Sequence, residues 1–552
     1  MKTTNQIMKS NLKNILWVTL MLVAGTAVAQ DEDGDVQDAE IVIEKDRQIE
    51  LEKETKLYEF IKWKPEPQTY EPVNPGEFTV FEYDLADEPQ TFKSAKTSVQ
   101  KKESEYHQYL KAGIGNYLSP LVDLSLVSPG DPNQNIGLNY KHLSYKTGEV
   151  DKENSASALN EISVYGTKVW KRVKTNAIVS YKTDANYYYG YADGAVISRQ
   201  DIKKRNRFFS ATLGLEDNNL NDDWEYSLNV GYRGFFDNYE NTENTMDVSG
   251  HAIYSEQFHL DAVLNMSSYN TASPQGRSHF RAKPYYNIEF GGIDLDAGLS
   301  VNLQSDDAQD MKNLKIFPYV SASYPLTDQY EAYVTLDGGY KFNTLYDFST
   351  DIPYLNPQTI VENTDNKVDV NLGVRGDVTD KWYARLNVGI KSMRNLPMYV
   401  NNQIDQQYID VIYDTGVTKL FSIGVSSQYF INDEHNIELA YTFNNYAGGK
   451  IDTPYHLPTS ELFVKGEHLF VDKLTLQWQY GLLAGITAYD GINDVDVSLD
   501  PINRLDISLH YQIQKRLGAF ISSDNTIGKS YSRYLYYPQR GIQIKGGVTY
   551  RF

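Results

Sequence analysis

The sequence predicts an all-β fold: a large antiparallel transmembrane β-barrel of about 22 strands, preceded by a short acidic N-terminal periplasmic extension. Three observations lead there. From about Tyr106 to the end, segments of period-two alternation recur at a spacing of roughly 20 residues, each about as long as a tilted membrane strand. Tight links between them alternate with longer ones, as short periplasmic turns alternate with outer loops. The chain is also rich in rings, with 44 Tyr, 21 Phe and 6 Trp, while its mean hydropathy is only -0.51. Membrane-interface girdles use rings with an apolar body and a wet tip.

Composition excludes several classes. There is no cysteine, so disulfides, thiolate metal sites and cysteine nucleophiles are absent. The net charge of -21 argues against a nucleic-acid partner, which needs a basic footprint. The nine histidines are scattered and form no HxH or HExxH pair, and no GxSxG elbow occurs. No enzyme activity, metal or cofactor is expected.

At the N-terminus, Lys2, Lys9 and Lys13 precede the apolar run Ile15 to Val28, and Ala27-Val28-Ala29 makes a small-residue cleavage site. Residues 1–29 therefore read as a signal peptide. No other apolar run is long enough for a membrane helix, so a spanning mature chain must cross as strands. Residues 30–105 form the extension. Asp31, Asp33 and Asp35 imitate the start of an EF-hand loop, but Val36 and Val42 stand where its Gly and Glu belong. Glu40, Ile41, Val42 and Ile43 follow as a short strand-like patch. It resembles the TonB box, a segment that adds a strand to its periplasmic partner; a plain β-prone linker reads the same way. Lys64 to Pro89 is rich in proline and acid, with Tyr70, Phe78, Phe81 and Tyr83 interspersed, and is expected to be extended.

Residues 106–552 are the expected barrel. Trp224, Tyr226, Leu228, Val230 and Tyr232 oppose Glu225, Ser227, Asn229 and Arg233, and Trp382 to Lys391 alternates likewise. Charges on the second face suit a hydrated lumen, which leaves the apolar face for lipid. Ten tight links start near Ser128, Trp170, Asn218, Ser255, Gly291, Leu326, Thr379, Asn432, Val471 and Gln514. Residues 183–205, 343–365, 393–407 and 525–540 are longer connections. The last strand, Gly541 to Phe552, must pair with the first near Tyr109 to Gly115 to remove both edges. Its alternation ends on an aromatic, so Val548, Tyr550 and Phe552 resemble the C-terminal signal by which outer-membrane barrels reach their insertion machinery.

The passage Asn356-Pro357, Glu362-Asn363-Thr364 and the strand from Val368, together with Pro538, Arg540 and the closing strand, resembles the barrel of TonB-dependent receptors. The style of the chain is Bacteroidota-like. The resemblance implies outer-membrane transport or receptor activity, with lipid, lipopolysaccharide, the insertion machinery and TonB as partners. The chain departs from that family in having no recognisable plug among residues 31–105. The alternative is a non-enzymatic structural or accessory barrel of an envelope assembly or secretion complex, with a sealed lumen and a periplasmic or outer-membrane partner protein. A barrel this wide must be closed by folded-in loops, by the extension or by a partner. Two further features allow a functional and a bland reading. The runs Tyr187 to Tyr191 and Tyr534 to Tyr537 suit ligand-stacking platforms or loop packing, and Lys203-Lys204-Arg205 suits lipopolysaccharide phosphates or a solvated strand end.

Overall fold

The structure, a computed structural model, describes residues 108–552 apart from 129–132, 193, 219–222, 271–274, 307–310 and 472. The expected signal peptide and extension, including Glu40 to Ile43, lie outside the described residues.

Twenty-two strands form one antiparallel sheet. Each strand pairs with its sequence neighbours around the barrel, and the first, Gln108–Gly115, pairs with the last, Gln543–Arg551. The ring is thus closed and has no free edge. All ten tight links expected from the sequence fall between consecutive antiparallel strands at one end of the barrel. Among the described residues no helix is long and apolar enough to cross a membrane.

Alternation decides which way the sheet faces. On the closing strand Ile544 and Val548 are 48% and 52% exposed, whereas Lys545 between them is 2% exposed. Leu228, Tyr232, Leu386 and Ile390 are likewise exposed. The intervening polar residues line the lumen, where they pair across strands. Lys391 reaches Asp369 at 3.0 Å, Arg375 reaches Glu331 at 2.9 Å, and Arg281 reaches Asp337 at 2.6 Å. An apolar exterior costs nothing in lipid, and water in the lumen keeps the charges solvated.

The seam between first and last strands runs from Tyr109 opposite Arg551 to Gly115 opposite Lys545, with Gly113 opposite Gly547. Backbone bonds of 3.1 Å in both directions between Gln108 and Phe552 extend it to the terminal residue. The Phe520 ring lies over the seam glycines: a Cβ on Gly113 would come within 2.7 Å of its Cζ, and one on Gly547 within 2.0 Å of the Ala112 carbonyl. Glycine is required here because ring and backbone approach so closely.

Candidate functional site

The end of the barrel opposite the tight links carries the long loops. Loops leave after the fifth strand, Val173–Tyr187, the thirteenth, Tyr330–Lys341, and the twenty-first, Leu517–Asp524, about a third of the circumference apart. Strands about 4.8 Å apart and tilted by about 40° make a barrel about 44 Å across, so its axis lies about 20 Å from the wall. Loops from three such positions can touch only by crossing the mouth. They do touch. Tyr188 and Tyr189 from the first loop, Tyr354 and Leu355 from the second and Tyr537 from the third share one buried apolar cluster.

The contacts in this cap are specific. The Tyr354 ring stacks on Tyr537 with centroids 3.7 Å apart, and Tyr189 meets Tyr537 edge-on at 4.9 Å. The Tyr188 hydroxyl donates to the Leu355 carbonyl at 2.7 Å, and the Tyr189 and Tyr354 hydroxyls lie 2.9 Å apart. Burial holds the phenols of Tyr188, Tyr189 and Tyr537 well above the ordinary tyrosine range, so they act as neutral hydrogen-bonding groups. The fourth loop, 395–417, folds into a hairpin of Leu396–Asn401 and Ile409–Asp414, so the connection expected to end at 407 continues further. Its Ile409 exchanges backbone bonds with Tyr354 and Asn356.

A short helix, Leu345–Asp351, lies in the second loop. Thr344 caps it by accepting from the Asp347 N–H, and Leu345 and Phe348 are buried. Wall side chains hold this loop down. Buried Arg277 donates to the Asn343 carbonyl at 2.7 Å and to Asn363 at 2.9 Å. Buried Glu243 accepts from the Tyr346 N–H at 2.7 Å, beside the positive end of the helix, and Arg233 reaches Asp347 at 2.8 Å. His456, fully buried, donates from Nδ1 to the Tyr399 carbonyl at 2.6 Å, and its own carbonyl accepts from Arg533 at 3.1 Å. It thereby ties three loops together. Burial pushes its imidazole down to about 4.

A cavity of about 690 Å³ opens on the lumen wall, lined by Lys283, Tyr319 and Tyr333 with the ion-paired Arg281 and Arg375. Among the described residues no group of three His, Asp or Glu side chains could hold a metal ion.

The residues singled out in the sequence separate clearly. Val548, Tyr550 and Phe552 face outward from the closing strand. The two tyrosine runs meet one another, but as the buried interior of the cap; with Tyr188 and Tyr537 at 0% exposure they offer no face to a ligand, which overturns the stacking-platform reading. Lys204 is also buried, bonded to Asp237 at 2.7 Å, and is thereby removed from phosphate binding. Glu243, Arg277, Tyr354 and His456 stand in no motif or run that marks them in the sequence. The only signal among them was the Asn356 to Thr364 passage, whose Asn363 turns out to accept from Arg277.

No family model and no curated protein matches the chain. Solved structures do. The siderophore receptor PiuA from Acinetobacter baumannii aligns over 82% of both chains, with a TM-score of 0.59 at 13% identity. FpvA of Pseudomonas aeruginosa bound to pyoverdines aligns over 81% of this chain and 72% of its own, at 0.61 and 12%. The FrpB iron transporter from Neisseria meningitidis aligns over 81% of each, at 0.62 and 10%. At such identities the likeness establishes the fold alone: this chain is a closed 22-stranded antiparallel barrel similar in fold to those siderophore and iron receptors.

Proposed function

We propose that this protein is an outer-membrane barrel of receptor or transport type, exported by the signal peptide 1–29 and engaging TonB through Glu40 to Ile43. The long-loop end then faces outward and the tight turns face the periplasm. One observation carries the reading: the cap is fastened to the lumen wall by hydrogen bonds that Arg277 and Arg233 donate and Glu243 accepts, a polar latch that can exchange with water or ligand groups. Below it the wall offers alternating charges and tyrosines suited to a polar cargo. Val548, Tyr550 and Phe552 serve the insertion machinery, and lipid and lipopolysaccharide surround the apolar exterior.

The aromatic interior of the cap favours a second reading, an accessory barrel that stays shut within an envelope assembly. Purification from the native membrane separates the two. Crosslinking to TonB through residues 40–43 supports transport, whereas a stable stoichiometric assembly without TonB sinks it. In planar bilayers the intact protein should be silent, and deleting residues 345–361 should open it if the cap is the gate.

A further inference from the structure

We propose that the outward face of the sixth strand, Lys203–Asp217, holds one phosphorylated glycolipid of the outer leaflet through Lys203, Arg205 and Arg207; this rests on the orientation proposed above, with the long loops outward. Alternation splits the basic run. Lys204 and Asn206 are buried on the lumen side, whereas Arg205 and Arg207 are exposed and continue the outward series of Phe209, Ala211 and Leu213. Lys203 belongs to the same series and is half-buried. Asn238 engages only the backbone here, accepting from the Arg205 N–H and donating to the Lys203 carbonyl. Among the described residues no carboxylate pairs with the three cationic side chains.

The register fixes where the apolar exterior stops. One outward row across the third to sixth strands reads Tyr140, Ile162, Tyr181 and Phe209. The next row toward the loops reads His142, Asn160, Thr183 and Arg207. Its uncharged members bond to one another, His142 Nδ1 donating to Asn160 Oδ1 at 2.7 Å and Asn160 Nδ2 to Thr183 Oγ1 at 3.3 Å. Such a polar row would be costly in hydrocarbon, so it marks the level where headgroups begin. Arg207 stands at that level, and Arg205 and Lys203 rise above it. Steps of about 6.8 Å on a strand tilted by about 40° lift Lys203 about 10 Å above Arg207. An ordinary headgroup layer is only about 5 to 8 Å deep, so the ladder suits a thicker, sugar-bearing headgroup whose phosphates meet each cation in turn. Beside Arg205 the outward row continues as Ala185, Ala158 and Ser144, small side chains that leave a sugar room to lie against the wall.

The test uses the full-length protein extracted from its native outer membrane and washed in detergent, with retained lipid identified by native mass spectrometry. The expected result is one phosphorylated glycolipid per barrel. Replacing Lys203, Arg205 and Arg207 together by Gln should lower its retention by about a hundredfold, and Arg207→Gln alone by about fivefold. Lys168→Gln, which removes an outward cation at the short-turn end, should leave retention unchanged. Heat-modifiable migration on gels confirms that each variant is folded. Added back to the delipidated barrel, the glycolipid should bind, and its dephosphorylated form, phosphatidylglycerol and inorganic phosphate should not. No glycolipid on the unsubstituted barrel, retention unchanged in the triple variant, or equal binding of any of those three probes would overturn the proposal. Orientation is read separately. The chain has no cysteine, so Ile404→Cys, at a loop position 91% exposed, gives a single thiol for an impermeant maleimide on intact cells. Absence of labelling would overturn the orientation and the outer-leaflet assignment with it, whereas labelling without bound glycolipid would overturn this proposal alone.

Discussion

The side chains that matter most are polar groups buried within the cap and its anchors. His456 is the clearest case. The imidazole of an opened cap takes up a proton near 6.5, the buried one only near 4, so the opened form binds more protons between those values. The contribution of His456 to cap stability is therefore fully present above about 6.5 and is lost as the solution is acidified toward 4. Limited proteolysis of the loops across this range should show the loss, and His456→Gln should flatten the profile. Stability that rises on acidification would contradict the assignment. Tyr354 acts through packing instead. Tyr354→Ala removes a stacked ring and a hydroxyl partner, and should loosen the cap by about 3 to 5 kcal/mol while leaving the barrel's thermal unfolding unchanged.

Strands and loops obey different logic. A strand's partner is its neighbour in sequence, so pairing follows once the alternation is recognised. The loops meet across the mouth, and nothing local announces the meeting. The helix Leu345–Asp351 shows this: Thr344 and Asp347 supply a local cap, but its place is set by Arg277 and Glu243 on distant strands. Arg277→Met should strand the Asn343 carbonyl and Asn363 and weaken the latch by about 2 to 4 kcal/mol, seen as channel openings in planar bilayers. The seam is the other sensitive element. Gly113→Val would drive its side chain into Phe520 and the Gly546 carbonyl, and heat-modifiable migration should show a barrel that fails to close.

For the whole molecule, closure into a ring is the dominant fact. Every strand is satisfied only when the last one finds the first, so the terminal residues carry weight beyond their size. Phe552 contributes two backbone bonds to Gln108 and faces outward, where insertion machinery would meet it. Deleting it should lower the amount of folded protein in the outer membrane severalfold. Undiminished insertion would remove Val548, Tyr550 and Phe552 from any role in assembly.

The strand number, the ten turns, the outward apolar face and the closing pair were all legible in the sequence, because each follows from period-two alternation and short-range connection. The cap was only partly legible. Tyr187 to Tyr191 and Tyr534 to Tyr537 stand out as runs, yet whether such rings face a ligand or each other depends on what else reaches them, and that is decided by loops converging from thirds of a ring. Likewise Lys204 looks like a surface charge until Asp237 is brought against it. The barrel follows from the chain's own alternation and turn spacing, which suffice to close a sheet. How the mouth is shut is settled by the folded loops instead, because contacts across a lumen about 40 Å wide join residues that no periodicity relates.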